Sequence, residues 1–398
     1  MAGQFFPREF FADRTRWDLT PNALAQRLNV LRGKGEEVLD LTESNPTRCG
    51  FHYSKEFLAD LADPAALTYE PSPKGLKVAR VAVASVYGKK GAGIDPQRIF
   101  LTSSTSEAYS FLFRLLMNPG DELLVPSPSY PLFDYLASLA DVKIVSYPLV
   151  YQNRWKVDLE ELSSKITPKT RLILIVHPNN PTGSCVTKRE LVGILQLCAR
   201  HRIPLIADEV FAEYLDAPNP EIPPTLLGHP EVLIFSLGGI SKFLGLPQMK
   251  LSWIAATGPE KDLTPALDRL ELIADTFLSV ATPVQLAFPH WLKRSAAIQS
   301  QIRERVSANR RWLLSLAPSA SIENLHADGG WTAVLRTPGL QDEESFVLRL
   351  LEKRRVLLHP GYFFDFDGPG YFVVSLLPEE ALFQKGIQLF LEQLHDSP

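Results

Sequence analysis

From about Pro46 to Leu251 the chain alternates short apolar runs with amphipathic stretches, and few folds accommodate that rhythm. The runs are Ile99–Thr102, Glu122–Val125, Leu172–Val176, Pro204–Ala207, Val232–Ser236 and Leu251–Ala256. Each is rich in β-branched residues and bounded by Pro, Gly or Asp, as strands buried on both faces of a mainly parallel sheet are. Ser106–Met117 and Lys188–Arg200 have helical spacing between them and complete a β-α-β pattern. Long helical patterns follow from Thr264 to Trp312, with interruptions predicted near Pro283 and Pro289. Strand-like Trp331–Leu335 and Tyr371–Leu376 then flank a helix at Glu343–Lys353. The expected fold class is α/β. A large domain (46–285) carries the mainly parallel sheet flanked by helices, and a smaller α/β domain (286–398) is completed by an N-terminal arm (1–45). The arm is expected to hold one helix, capped by Thr20 ahead of Pro21 at the first helical position.

Composition narrows the function classes. With 398 residues the chain exceeds one compact core, so two or three domains in one enzyme-sized body are expected. Its formal charge of −4 argues against nucleic acid as a partner, because phosphate-backbone binding needs a basic surface. No apolar run approaches the roughly 18 residues that cross a bilayer, so no membrane role is expected. The stretch Met1–Arg16 mixes Phe with Arg, Asp and Glu and has no apolar signal core, so a cytoplasmic protein is expected. Cys49, Cys185 and Cys198 form no C-x-x-C pair, and the eight histidines show no ligand spacing. Neither a disulfide framework nor a metal site follows from them.

Polar residues collect at the carboxyl ends of the predicted strands, where open parallel sheets bind ligands. Ser103-Ser104-Thr105-Ser106 follows the first run and opens a helix. Asn179-Asn180-Pro181-Thr182-Gly183, Asp208-Glu209 and Ser241-Lys242 follow three others. Free N–H groups at a helix start, with short hydroxyls, hold a phosphate against the helix dipole. A carboxylate beside a pyridine nitrogen keeps that nitrogen protonated, so the ring accepts electrons. A lysine forms a Schiff base with an aldehyde and then shuttles a proton. An amide N–H donates to a phenolic oxygen, and Tyr130, between prolines, offers a flat face for a ring. Together these groups describe a pocket for a phosphorylated, nitrogen-containing aromatic aldehyde.

Taken singly, each motif has an ordinary explanation. Asn-Pro-Thr-Gly makes a good turn, Asp208-Glu209 can cap a helix, and a lone lysine is usually solvated. Gly88-x-x-Gly91-x-Gly93 follows a helical stretch and reads as a loop, not a nucleotide fingerprint. Order and spacing together outweigh these explanations.

Over roughly Leu41 to Leu377 the chain resembles the class I/II aminotransferases, pyridoxal-phosphate enzymes of fold type I. The resemblance is carried by Leu41-Thr42-Glu43-Ser44-Asn45-Pro46, by Tyr69 with Gly75 and Arg80, and by Leu101 to Ala108. It continues through Pro119-Gly120-Asp121-Glu122, His177 to Gly183, Asp208-Glu209-Val210 and Ser241-Lys242. It implies pyridoxal 5'-phosphate as cofactor, with Lys242 as its Schiff-base lysine and Asp208 against the pyridine nitrogen. It implies Asn180 on the phenolic oxygen, Tyr130 stacked on the ring, and Ser104, Thr105 and Ser106 on the phosphate. Lys250 stands where the family usually has a phosphate-binding arginine. Tyr69 matches a tyrosine that reaches the neighbouring subunit's phosphate, which implies a homodimer.

Four departures stand out. Phe211 replaces a tyrosine three residues after the aspartate. Lys250 lacks the bidentate fork of arginine. Gly239 replaces a serine three residues before the lysine. In Tyr371-Phe372-Val373-Val374-Ser375, Val373 falls where the family's arginine clamps the substrate α-carboxylate. Two expectations follow: another cation is repositioned, with Arg48 beside Asn45-Pro46 as the candidate, or the amino donor is unusual, bulky and less polar. The leading function is transamination between an amino acid or related amine and a keto acid. A lyase on the same scaffold and a non-enzymatic cofactor sensor are the alternatives.

Overall fold

A computed structural model describes residues 10–316 and 322–396. The first nine residues of the expected arm therefore lie outside the described residues.

Fourteen strands form three sheets among the described residues. In chain order they are β1 (Leu39–Asp40), β2 (Ile99–Thr102), β3 (Glu122–Ser127), β4 (Lys143–Tyr151), β5 (Trp155–Val157), β6 (Thr170–Val176) and β7 (Leu205–Asp208). Then come β8 (Ile234–Gly239), β9 (Ser252–Thr257), β10 (Glu323–Asn324), β11 (Thr332–Arg336), β12 (Val356–Leu357), β13 (His359–Pro360) and β14 (Tyr371–Ser375). The large sheet runs β2-β9-β8-β7-β6-β3-β4-β5. Its centre, from β8 through β7, β6 and β3 to β4, is parallel. β9 runs antiparallel to both β2 and β8, and β5 antiparallel to β4. All four residues of β2 and of β7 are buried, which accounts for their unbroken apolar character.

The crossover helices begin on side-chain caps. Thr187 and Glu190 form a reciprocal capping box at Lys188–His201. That helix ends on Arg202 in the left-handed region. Its inner face buries Leu191, Ile194, Leu195 and Cys198 at the i, i+3, i+4, i+7 spacing of an amphipathic helix.

Two expectations need correction, and two strands went unread. The N-terminal helix starts at Ala23 and is capped by Asn22, whose Oδ1 accepts the Ala25 N–H at 2.8 Å. The Thr20 N–H instead donates to Asp18, so Thr20 belongs to the preceding turn. Pro289 does not end a helix: Thr282–Lys293 runs through it, while Pro283 sits in the first turn, where a missing N–H costs nothing. The strands β4 and β5 gave no recognised signal. β4 is only half-buried and contains Pro148, so it lacks the apolar run of its neighbours.

The N-terminal arm joins the C-terminal part of the chain. β1 pairs in parallel with β12, Leu39 opposite Val356, and Arg27 bridges to Glu352 at 2.8 Å. β10, β11, β14 and β13 make the second sheet. Residue 285 lies within the helix Thr282–Lys293, and the Gln285 side chain accepts the Leu76 N–H at 2.6 Å.

Candidate active site

A cavity of about 390 Å³ opens where the carboxyl ends of β2, β6, β7 and β8 meet the second sheet. Its lining includes Ser104, Thr105, Ser106, Tyr130, Asn180, Asp208, Lys242 and Lys250, eight of the eleven residues singled out in the sequence. Tyr69, Asn45 and Arg48 lie outside it. Tyr69 is 74 % exposed beside a separate small recess. The Asn45 carboxamide caps the short turn Pro46–Arg48, accepting from the Thr47 N–H and hydroxyl. Arg48 points largely into solvent, 4.0 Å from Glu43. Its repositioning into the site, one of the two expectations for the missing clamp, is not seen.

Each wall follows from local sequence. Ser104 caps the helix Thr105–Leu116 by accepting the Glu107 N–H at 3.1 Å, and Glu107 returns the contact to the Ser103 N–H at 2.7 Å. The first N–H groups of a helix have no intrahelical acceptor, and here Thr105 and Ser106 of that first turn line the cavity. At the end of β6 the Asn179 side chain ties the turn together, donating to the Pro128 carbonyl at 3.1 Å and the Thr182 hydroxyl at 2.9 Å. That leaves neighbouring Asn180 on the cavity. His177 pins the same turn. Its Nδ1 accepts the Val186 N–H, so Nε2 donates to the Pro223 carbonyl, and burial lowers its pKa to about 4. Gly183 is left-handed, and a Cβ there would meet the Gly329 carbonyl at 2.3 Å. Only glycine lets this turn touch the loop that leads into Trp331.

The charged centre is buried. Asp208 accepts the Tyr109 hydroxyl at 2.6 Å and the Val210 N–H at 3.1 Å. Burial raises its pKa, and the Tyr109 hydroxyl, the Val210 N–H and the Lys242 charge pull it back. Burial lowers the Lys242 pKa against the opposing charge of Asp208. Its amine lies 5.7 Å from the Phe211 ring centre and 5.2 Å from that of Trp331. Desolvation among aromatic faces thus favours the neutral, nucleophilic amine.

Several lining residues went unnoticed in the sequence. Tyr109 sits on a helix face among apolar neighbours and reads there as core. Trp331 and His359 come from the distant second sheet. Ser252 explains the departure at Gly239: the two pair across β8 and β9, and a Cβ at 239 would lie 2.3 Å from the Ser252 hydroxyl. The hydroxyl absent from one strand is present on its neighbour, at the same cavity.

A model of the family "Aminotransferase class I and II" matches residues 37–384. The chain belongs to the class I and II aminotransferases. It is 31% identical to the glutamate-pyruvate aminotransferase AlaA of Escherichia coli K12 over 365 residues, covering 87% of this chain and 88% of that one. It is 27% identical to the alanine aminotransferase of Mycobacterium bovis over 383 residues, covering 87% and 83%. The fold matches that of an Escherichia coli aminotransferase with a TM-score of 0.84, at 27% identity and with 94% and 95% of the two chains covered. The chain is a transaminase, of a family that works with pyridoxal phosphate.

Proposed function

We propose that the cavity binds pyridoxal 5'-phosphate and that the chain passes an amino group between an amino acid with an apolar side chain and a keto acid. The observation that carries this reading is the meeting of buried Lys242 and Asp208 with a hydroxyl-lined helix start in one cavity. The donor set suits the cofactor: a carboxylate for a pyridinium, an amine for an aldehyde, and hydroxyls with free N–H groups for a phosphate. When bound, the cofactor supplies an electron sink for the charge left on the substrate carbon after proton removal.

The protein's own groups do the rest. Asp208, held toward its anionic form by Tyr109 and the Val210 N–H, would set a negative charge against the ring nitrogen. Lys242 would hold the cofactor aldehyde, and its Nζ would serve as the base for the substrate α-proton. The Asn180 amide would donate to the phenolic oxygen, and Tyr130 would cover the ring. Ser104, Thr105, Ser106, Ser252 and Lys250 would hold the phosphate. Phe211, Phe133, Leu132, Leu136, Trp331 and Phe364 line the remaining space, which suits an apolar substrate side chain and keeps water from the reacting carbon.

The active unit in this reading is a homodimer. Tyr69, exposed and outside its own cavity, would reach the partner's phosphate, and the 92 % exposure of Leu67 nearby supports a covered face there. In the same reading the larger part takes residues 46–285 and the smaller part 286–398, with the boundary inside the helix Thr282–Lys293. Three buried free cysteines suit a reducing cytoplasm.

The test is to supply the cofactor-loaded protein with a panel of amino donors and a 2-oxo acid, and to follow both products by mass spectrometry. A new amino acid formed in step with a new keto acid is expected, with apolar donors preferred. Ammonia release without a new amino acid would establish a lyase instead.

A further inference from the structure

The wall where the family's carboxylate clamp would stand has no arginine, since none of the described residues lining the cavity is one. The cation-forming residues there are Lys242, Lys250 and His359. Lys242 is committed to the cofactor. Lys250 lies two residues before Ser252, the first residue of β9, on the phosphate side. His359 is on the other side. It stands directly opposite Val373 in the antiparallel pairing of β13 and β14. Opposed residues in such a pair project to the same face with Cβ atoms about 4.5–5.5 Å apart, and both line the cavity.

The polar inventory of this wall points to one group. The Thr332 hydroxyl donates its proton to the Pro181 carbonyl at 2.7 Å. The Ser375 hydroxyl accepts from the Leu377 N–H at 3.2 Å, and its own proton has no acceptor among the described residues. The His359 ring lies 5.7 Å from both the Phe363 and Phe364 rings, and neither of its nitrogens has a hydrogen-bond partner among the described residues. The Trp331 indole N–H, on a residue of the same lining, also has no acceptor among them. Donors without acceptors beside an apolar surface mark a place for an acceptor-only ligand group. Burial lowers the His359 pKa, and the nearby charge of Asp40 partly offsets that.

We propose that His359 receives the substrate carboxylate, taking from the strand opposite Val373 the part that an arginine at 373 would play. This rests on the reading of the cavity as a transaminase site. It makes His359 a specificity-determining residue, and the site selects amino and keto acids that combine one carboxylate with an apolar side chain. A second acidic group would find no further cation on this wall.

Binding separates this proposal from the catalytic reading, because it needs no turnover. The probe is 3-phenylpropanoate, compared with 3-phenylpropan-1-ol, titrated calorimetrically into the cofactor-loaded protein. His359→Phe should weaken the acid about 10- to 100-fold and the alcohol less than about threefold. His359→Gln, which keeps an N–H donor, should recover part of the loss. Adding Val373→Arg to His359→Phe should restore acid binding. Unchanged acid affinity in His359→Phe, equal losses for acid and alcohol, or a wild-type protein that does not prefer the acid would each overturn the assignment. Failure of all donors to transaminate, with these affinities intact, would overturn the catalytic reading and leave the carboxylate site standing.

Discussion

The two sides of the cavity are built by opposite rules. The side formed by the large sheet is polar, and its groups are held in place before any ligand arrives: Ser104 by Glu107, Asp208 by Tyr109 and Val210, and Asn179 by Pro128 and Thr182. The side formed by the second sheet carries Trp331, Phe364 and Val373, which is only 2 % exposed, and the Trp331 indole N–H there has no acceptor among the described residues. Preorganised dipoles suit a group that stays bound through every turnover. A wall of rings and unsatisfied donors suits substrates that come and go. One side therefore fixes the chemistry, and the other selects what undergoes it.

That contrast breaks most visibly at Asp208. If Asp208 faces the cofactor's ring nitrogen as proposed, Asp208→Ala should lower kcat about 10²–10³-fold, with a much smaller change in substrate KM. A loss confined to KM would place Asp208 on the selecting side and break the division. Tyr109→Phe keeps the ring and deletes one charge-assisted hydrogen bond, so Asp208 titrates higher than in the wild type. About a tenfold fall in kcat is expected in steady-state kinetics, with weaker cofactor retention on dialysis. The smallest effect sharpens the comparison at its seam. Phe211→Tyr would add a hydroxyl beside Lys242, and a donor to the phenolic oxygen favours its anion. The pKa read from the bound cofactor's absorbance should fall by up to about one unit. A rise would mean that the new hydroxyl points away from the oxygen.

How much of this was legible in the sequence follows the same division. Ser104, Asn180, Asp208 and Lys242 each follow a buried strand directly, so their relation to the sheet can be read from a few contiguous residues. Tyr109 is 99 positions from Asp208, and only the packing of its helix over the large sheet brings them together. His359 and Val373 meet through a two-residue strand too short to leave a pattern. Val373 was visible as a departure, but its replacement was not, because pairing register cannot be read from one strand alone. The helix that continues through Pro289 was misread for a related reason: the burial of Phe288 and Trp291 holds it together across the proline. The cap at Asn22 was a choice between two local capping residues.

The central claim is that Lys242 is the residue that holds the cofactor. Reduction of the pyridoxal-phosphate-loaded protein with borohydride, followed by proteolysis and peptide mass spectrometry, tests it without any assumption about substrate. The account predicts a stable phosphopyridoxyl adduct on Lys242 and its disappearance in Lys242→Ala. An adduct on Lys250 or another lysine, or none on the wild-type protein, would contradict it.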